Sequence, residues 1–209
     1  SGRVAALNVE GEVNIDTGSG SVRVDNCNGS EILVDTGSGS VKARAVRADE
    51  VSIDTGSGSV TLQLERMGAG SFEIDTGSGS VSVTECTGSE VRVDTGSGSV
   101  KAANIDCSYL LIDTGSGRVE ASGIKADKAK IDTGSGSVSL QLDRMGDGRF
   151  VVDTGSGSID VVLPPDASAR ILADTGSGSV KNKIQGADVT VAARDELEMT
   201  VGGGAAKVT

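Results

Sequence analysis

The chain contains no histidine and no tryptophan, and only one tyrosine and two phenylalanines occur in its 209 residues. Without histidine, the usual general base for a serine or cysteine nucleophile is absent. With so few aromatic rings, we expect a narrow core of stacked small aliphatic side chains. We therefore predict a protein that is not an enzyme, with no catalytic residues and no cofactor.

Cysteine, proline and long apolar runs are also scarce. No run approaches the length of a membrane span, and nothing before Val4 resembles a signal peptide, so we expect any targeting segment to be missing from this sequence. The three cysteines, Cys27, Cys86 and Cys107, are odd in number and lack the spacing of a metal site. We expect buried, unpaired thiols rather than a disulfide.

The charge balance is strongly acidic, with a net charge of −11. Nine of the acidic residues belong to one repeated motif, and removal of their nine charges would leave a net charge of −2. No cluster of basic and aromatic residues is present. Because contacts to phosphate need a positive surface, we predict that nucleic acid is not a partner.

What the sequence does contain is a nine-fold repeat of Asp-Thr-Gly-Ser-Gly, spaced by 19 or 21 residues. A repeat of this length indicates structural units that stack on one another. Positions in a coil are numbered from the motif aspartate as 0, so that the threonine is at +1. The aspartates, which we call the aspartate column, are Asp16, Asp35, Asp54, Asp75, Asp94, Asp113, Asp132, Asp153 and Asp174.

Apolar residues alternate with polar ones on both sides of the motif. Positions −3 and −1 are apolar, as in Val13 and Ile15, and so are +6 and +8, as in Val22 and Val24. A period of two predicts two half-buried strands, with the aspartate outward and the threonine inward. We expect the Gly-Ser-Gly bend between them to use the conformational freedom of glycine, and a return loop, such as 26–30, to complete the coil.

The longer coils carry their extra residues in the return loop, at 67–70, at 145–148 and at 163–166, where both prolines lie. The segment Leu-Gln-Leu-(Glu/Asp)-Arg-Met-Gly occurs at 62–68 and again at 140–146, four coils later, which indicates duplication of a block of coils.

These patterns predict an all-β fold, a right-handed, single-chain parallel β-solenoid with coils of 19–21 residues. We predict one domain over residues 1–209: an irregular N-terminal coil at 4–12, nine coils at 13–191, and a C-terminal cap or truncated coil at 192–209. At about 4.8 Å per rung, the rod would be on the order of 50 Å long.

The motif itself resembles the active-site signature of pepsin-like aspartic proteases, as in Leu-Ile-Asp-Thr-Gly-Ser at 111–116. Those enzymes need two carboxylates in different environments, whose pKa values separate at close range. Nine equivalent aspartates in a line do not provide that difference, which argues against a protease.

Two other uses of the aspartate column remain open. Stacked carboxylates repel one another, and bound cations such as Ca²⁺ would relieve the repulsion, although each coil offers only one carboxylate. Alternatively, each aspartate accepts hydrogen bonds from backbone N–H groups of its own bend, helped by the Thr and Ser hydroxyls.

Regular hydroxyl columns are also typical of solenoids that bind ice or crystal surfaces. Because the threonines are expected to point inward, the array would consist of the +3 serines, such as Ser19, Ser38 and Ser57. The simpler interpretation is that these serines close the corner by hydrogen bonding.

The repeated bends and the segment Leu-Pro-Pro-Asp-Ala-Ser-Ala-Arg at 163–170 resemble a bacterial, adhesin-like family of β-strand repeat proteins over residues 13–191. The resemblance implies a right-handed β-solenoid exported to the cell envelope, and it supplies no site residues.

We predict a structural or interaction module, envelope-bound or secreted, that acts in adhesion or scaffolding. Partner contacts would use variable outward residues such as Arg23, Lys42, Lys101 and Lys181, which otherwise form an ordinary solvated face. The partner would be a protein or a surface, and the chain would be a monomer or associate weakly end to end.

Overall fold

The computed structural model describes residues 2–64, 70–184, 190–193, 195–202 and 205–208. Within these ranges all regular structure is β-strand, and no helix is long and apolar enough to cross a membrane. The strands are β1 (Val4–Leu7), β2 (Val13–Thr17), β3 (Val22–Asp25), β4 (Asn28–Thr36), β5 (Val41–Thr55), β6 (Val60–Leu64), β7 (Ser71–Thr76), β8 (Val81–Thr84), β9 (Thr87–Thr95), β10 (Val100–Ala103), β11 (Asp106–Thr114), β12 (Val119–Thr133), β13 (Val138–Met145), β14 (Arg149–Thr154), β15 (Ile159–Leu163), β16 (Ala169–Thr175), β17 (Val180–Ile184), β18 (Thr190–Ala193), β19 (Glu196–Gly202) and β20 (Ala205–Val208).

The chain forms a parallel β-solenoid of about nine coils, as the repeat predicts. Equivalent strands of successive coils pair in parallel and in register, so that each motif aspartate lies opposite the aspartate of the next coil, from Asp16 to Asp174. Each rung adds about 4.8 Å along the axis. The β-strands before and after the bend both match the predicted alternation.

Each 19-residue coil has three sides rather than two strands and a loop. The first side runs from −3 to +1 and the second from +6 to +9, and the third begins at +11. In the predicted return loop, β4 already starts at Asn28, and its N–H donates to the carbonyl of Val9 in the coil below at 2.8 Å. The expectation of a return loop at 26–30 was therefore wrong from Asn28 onward, because residues 28–30 belong to β4. Because equivalent segments of successive coils stack, their backbone groups pair from rung to rung.

Two corners frame the third side. At +10 the backbone is left-handed, with φ of 52° at Asn26, 48° at Ala45, 58° at Glu85 and 55° at Asn104. Beyond this corner the inward side chains are at the odd positions +11 and +13, as in Val46 and Ala48. On the first side the inward side chains are at −3 and −1, which in a 19-residue coil are the even positions +16 and +18. The change of parity marks the next corner, near +14.

The core is a continuous stack of aliphatic side chains along the axis. Its members are almost completely buried valine, isoleucine, leucine and alanine residues, joined by Phe72 and Phe150, which occupy the same position four coils apart. The few aromatic rings thus enter the stack as single large members, consistent with the narrow core that the composition predicts. Asn182 is also buried, where other coils place an aliphatic residue at +8.

In the longer coil of Asp132, the extra residues follow the third side, because Arg144 and Met145 still pair with Lys125 and Ala126 on that side. Residues 65–69 are outside the described residues, so the predicted loop at 67–70 can be assessed only at Gly70. In the equivalent coil, β13 continues to Met145 before the loop. The two prolines lie in the turn that follows Leu163, where the N–H of Ala167 donates to the carbonyl of Pro164 at 3.2 Å. The prolines therefore lie outside the ladder, as predicted.

The two ends of the rod differ. At the N-terminal end, β1 pairs in parallel with β3, and Glu10 bridges Asn28, so residues 4–12 form the second and third sides of a coil of 18 residues. At the C-terminal end the pairing is antiparallel: β18 pairs with β17, β19 with β16, and β20 with β19. Parallel stacking therefore stops at β16 and β17.

Candidate functional site

The motif threonines form an internal ladder of hydroxyl groups. From Thr36 to Thr175 they are fully buried, which confirms their predicted inward direction. Thr114 Oγ1 donates to the carbonyl of Gly98 in the preceding coil at 2.9 Å and accepts from the N–H of Gly117 at 3.2 Å. Equivalent donations, 2.8–3.3 Å long, are made by Thr55, Thr76, Thr95, Thr133, Thr154 and Thr175. The threonines therefore tie the bends of adjacent coils together.

From Gly20 onward, the motif glycines are required by close stacking. A Cβ atom at Gly117 would lie 1.8 Å from the carbonyl oxygen of Gly98, and one at Gly115 would lie 2.4 Å from that of Gly96. Within the described bends only Gly20 has a positive φ. The expectation that these glycines supply unusual backbone angles was therefore wrong for most coils, because the bends approach each other too closely for any side chain.

The aspartates point outward, and their carboxylates are exposed or half-exposed. Among the described residues, no N–H of a bend donates to a motif carboxylate, so the predicted aspartate-centred turn was wrong. The hydroxyl of the neighbouring threonine accepts the hydrogen bond from the N–H of the bend instead, because it points into the bend. Of the motif aspartates, Asp132 has an ion pair among the described residues, with Lys130 Nζ at 3.9 Å.

Three members of the aspartate column have a raised pKa. Burial, followed by repulsion from the aspartates of the adjacent coils, raises the pKa of Asp54, Asp94 and Asp153. In the ranges that the structure describes, no group of three or more His, Cys, Asp or Glu side chains could hold a metal ion. The column consists of single carboxylates one rung apart, so binding of cations to it stays a prediction.

The +3 serines form the exposed apex of the corner. Ser38, Ser57 and their equivalents up to Ser177 are exposed, while Ser19 is half-exposed. The apex is one column wide and lies between two glycine columns. Binding of ice or a crystal surface by this column stays a prediction.

The three cysteines lie inside the coil without disulfides, as predicted. Burial raises the pKa of the Cys107 thiol to about 12, and it raises that of Cys86 further. Both thiols are therefore protonated at neutral pH and act as small apolar side chains.

Two charged features of the surface were missed by the sequence analysis. Arg144 bridges Asp106 at 3.0 Å and Asp127 at 3.1 Å, residues from two earlier coils on the third side. On the second side, the +5 column contains serines in most coils but Arg118 in one, and Arg3 occupies the equivalent place below Ser21. The departure of Arg118 from the repeat was visible in the sequence. Arg3 precedes the first motif, so only the strand register places it in the column.

The comparisons with known proteins concern the whole repeat. A family model described as Toastrack DUF4097 matches residues 3–69 and 64–208. No curated protein and no solved structure matches the chain.

Proposed function

The chain belongs to the Toastrack DUF4097 family, and we propose that it is a non-enzymatic structural or interaction module whose variable side faces carry the contacts. The observation that supports the proposal is that the outward residues of the strands vary from coil to coil outside the motif, whereas the inward residues stay apolar. The threonine hydroxyls and the glycine backbones of the motif are engaged with adjacent coils, as described above, so the repeated residues are largely committed to the fold.

Variation is concentrated on the outer surface of the strands. At +7, on the second side, successive coils carry arginine, lysine, threonine, serine and lysine from Arg23 to Lys101, whereas the inward neighbours at +6 remain valine. A fixed interior with a variable exterior allows one scaffold to present different contact surfaces.

We place this module at the cell envelope of a bacterium or outside the cell, where it would act in adhesion or as a scaffold. A rigid rod suits such a role because each coil is held by continuous hydrogen-bond ladders to its neighbours. The proposed partner is a protein or a surface.

The proposal can be tested by attachment of the purified protein to bacterial envelope preparations. A corner variant carries Asp94→Asn, Asp113→Asn and Asp132→Asn, and a side variant carries Lys42→Ser, Lys101→Ser and Lys181→Ser. Each variant changes three charges. We expect the corner variant to attach like the unmodified protein and the side variant to attach more weakly.

Loss of attachment in a folded corner variant would contradict the proposal, because the function would then depend on the aspartates. Hydrolysis of peptide, ester or phosphoester substrates by the unmodified protein, abolished in the corner variant, would contradict it as well.

A second candidate function is binding of cations along the aspartate column. The raised pKa of Asp54, Asp94 and Asp153 favours it, because a cation would relieve the repulsion that contributes to the shifts. Melting temperatures with Ca²⁺ and with a chelator, at matched ionic strength, test this function. We expect Ca²⁺ to raise the melting temperature of the unmodified protein and not that of the corner variant, and equal melting temperatures in both solutions would exclude it.

A further inference from the structure

The second side of the rod contains a positively charged groove. Two adjoining cavities of about 330 and 350 Å³ lie along it, one at the coils of Ser21 and Ser40 and the other from Ser59 to Arg118. Paired strands join the cavities, because Val41 lies opposite Val60 and Lys42 lies opposite Thr61. We call the surface between the +5 and +7 columns, from Arg3 to Arg118, the second-side groove.

The charge of this groove is opposite to that of the protein. The residues that line the two cavities include five cationic side chains and one acidic side chain, Glu120, in a chain whose net charge is −11. The cationic residues are Arg3, Arg23, Lys42, Lys101 and Arg118. The aspartate column lies on another part of the coil, so positive charge is concentrated on this side.

Three of the five cations, Arg3, Lys42 and Lys101, are available to a ligand without breaking an ion pair among the described residues. Arg23 pairs with Asp25, and Arg118 lies 3.7 Å from Glu120. Lys42 and Lys101 have no carboxylate within ion-pair distance among the described residues. They stand three rungs apart in the +7 column, with Thr61 and Ser82 between them. By the rung spacing, their backbones are about 14 Å apart.

Hydroxyl groups line the groove between the cations. The carbonyls of Ser40, Ser59, Ser80 and Ser99 accept hydrogen bonds from backbone N–H groups of the preceding coil at 3.0 Å. Within the described part of the chain, the hydroxyls of these four serines make no hydrogen bond to another protein group. They recur at about 4.8 Å and can donate to an extended ligand.

The ends of the groove are set by charge. In the +7 column Lys101 is followed by Glu120, and Asp160 occurs two coils later. In the +5 column Arg3 and Arg118 bracket five serines over six rungs, about 29 Å. The positive section is therefore long enough for several units of a linear polymer and ends where the acidic residues begin.

We propose that the second-side groove binds a linear polymer of repeated phosphate groups. Lysine, arginine and hydroxyl donors complement phosphate oxygens. Proteins that bind single-stranded nucleic acids also stack bases on aromatic rings, and no aromatic residue lines the two cavities. The groove therefore suits a polymer without bases, either inorganic polyphosphate or a polyol joined by phosphodiesters. This inference rests on the proposed interaction function and names the chemistry of the partner.

The test uses fluorescently labelled linear polyphosphate and the whole chain. The groove variant Lys42→Ser/Lys101→Ser introduces the residue type that Ser82 already provides in the same column. The control Lys128→Ser/Lys130→Ser removes the same charge from strand β12, outside the groove. We expect about tenfold weaker binding for the groove variant, less than about twofold for the control, and affinity that falls as salt rises.

Further ligands distinguish the sources and the chemistry. Stronger binding of a polyol phosphate than of polyphosphate would identify the phosphodiester polymer as the ligand, and the reverse would identify free polyphosphate. A polycarboxylate of similar length should bind more weakly than both. Absence of phosphate-polymer binding, an equal loss in both double variants, or an equal affinity for the polycarboxylate would overturn the inference.

Envelope attachment separates this inference from the proposed function. If the protein attaches to envelope preparations through its side faces but binds neither phosphate polymer, the inference fails and the proposed function stands. If the corner variant, which leaves the groove unchanged, loses attachment while it retains groove-dependent polymer binding, the proposed function fails and the groove remains a phosphate-polymer site.

Discussion

At the scale of residues, Asp and Thr of the motif have opposite roles. Both side chains can cap a bend, so the sequence does not decide between them, although alternation correctly placed Thr inward. The structure shows that the buried hydroxyl satisfies backbone groups of two coils, whereas the carboxylate remains outside. The aspartate is therefore the motif residue least engaged by the fold.

The threonine ladder predicts a contrast between two substitutions. Thr114→Val would leave the carbonyl of Gly98 and the N–H of Gly117 without a partner, so we expect it to reduce the free energy of unfolding by about 1–3 kcal/mol. Thr36→Val is the matched control, because the Thr36 hydroxyl is buried without a partner in the described residues. We expect this change to be neutral or stabilising. Urea unfolding checks both, and equal losses would refute a specific role for the ladder.

The aspartate column predicts a dependence of stability on pH. Burial, then repulsion by Asp113 and Asp75, raises the pKa of Asp94, so the folded state binds this proton more tightly than the unfolded state does. Stability should therefore fall as pH rises through the raised pKa and recover on acidification. We expect Asp94→Asn to melt at a higher temperature than the unmodified protein at pH 7, with a difference that shrinks as pH falls.

Melting curves from pH 7 to pH 3 provide the measurement for this prediction. Asp147→Asn, in an exposed loop away from the column, gives the baseline for the loss of one surface charge. A lower melting temperature for Asp94→Asn than for Asp147→Asn at pH 7 would show that the Asp94 carboxylate stabilises the fold.

At the scale of elements, two sides of the coil could be predicted and the third could not. Strong alternation of valine and isoleucine revealed the first and second sides. On the third side the inward pairs include Cys27 with Gly29 and Val46 with Ala48, whose small side chains give a weaker apolar signal than the valine and isoleucine of the other sides. These residues form a strand because the same segment of the next coil pairs with them. Such stacking is a property of the array, and local propensity does not report it.

The left-handed corner at +10 predicts the effect of substitutions there. Ala45 has a φ of 48°, which disfavours a Cβ atom, so we expect Ala45→Gly to stabilise the protein by about 0.5–1 kcal/mol. Ala43→Gly, two residues earlier on strand β5, should destabilise it by about 1 kcal/mol, since Ala43 is buried in regular strand. Thermal unfolding of the two variants checks the corner, and destabilisation by Ala45→Gly would argue against a strained backbone at this position.

At the scale of the whole molecule, the period was sufficient to predict a parallel solenoid, because every coil buries its apolar residues at the same repeat positions. The groove could not be predicted in the same way. Its charges lie in different coils, and the coil of Arg3 is one residue shorter than the 19-residue coils. Only the observed strand register aligns Arg3 with the +5 serines. The same register shows that the two cavities form one surface.

The central claim is that the coil is the unit of this protein and that the motif is its corner. Deletion of residues 75–152 tests it most directly, because it removes a complete block of four coils and joins Ile74 to Asp153. Phe72 then takes the place of Phe150 in the core, and the coil of β6 stacks on that of β15 as the coil of β13 does.

We expect the shortened chain to fold with the same strand signal in circular dichroism. Its maximum dimension in small-angle X-ray scattering should decrease by about 19 Å, four rungs of about 4.8 Å each. An unfolded chain, or a folded one whose maximum dimension is unchanged, would contradict the account.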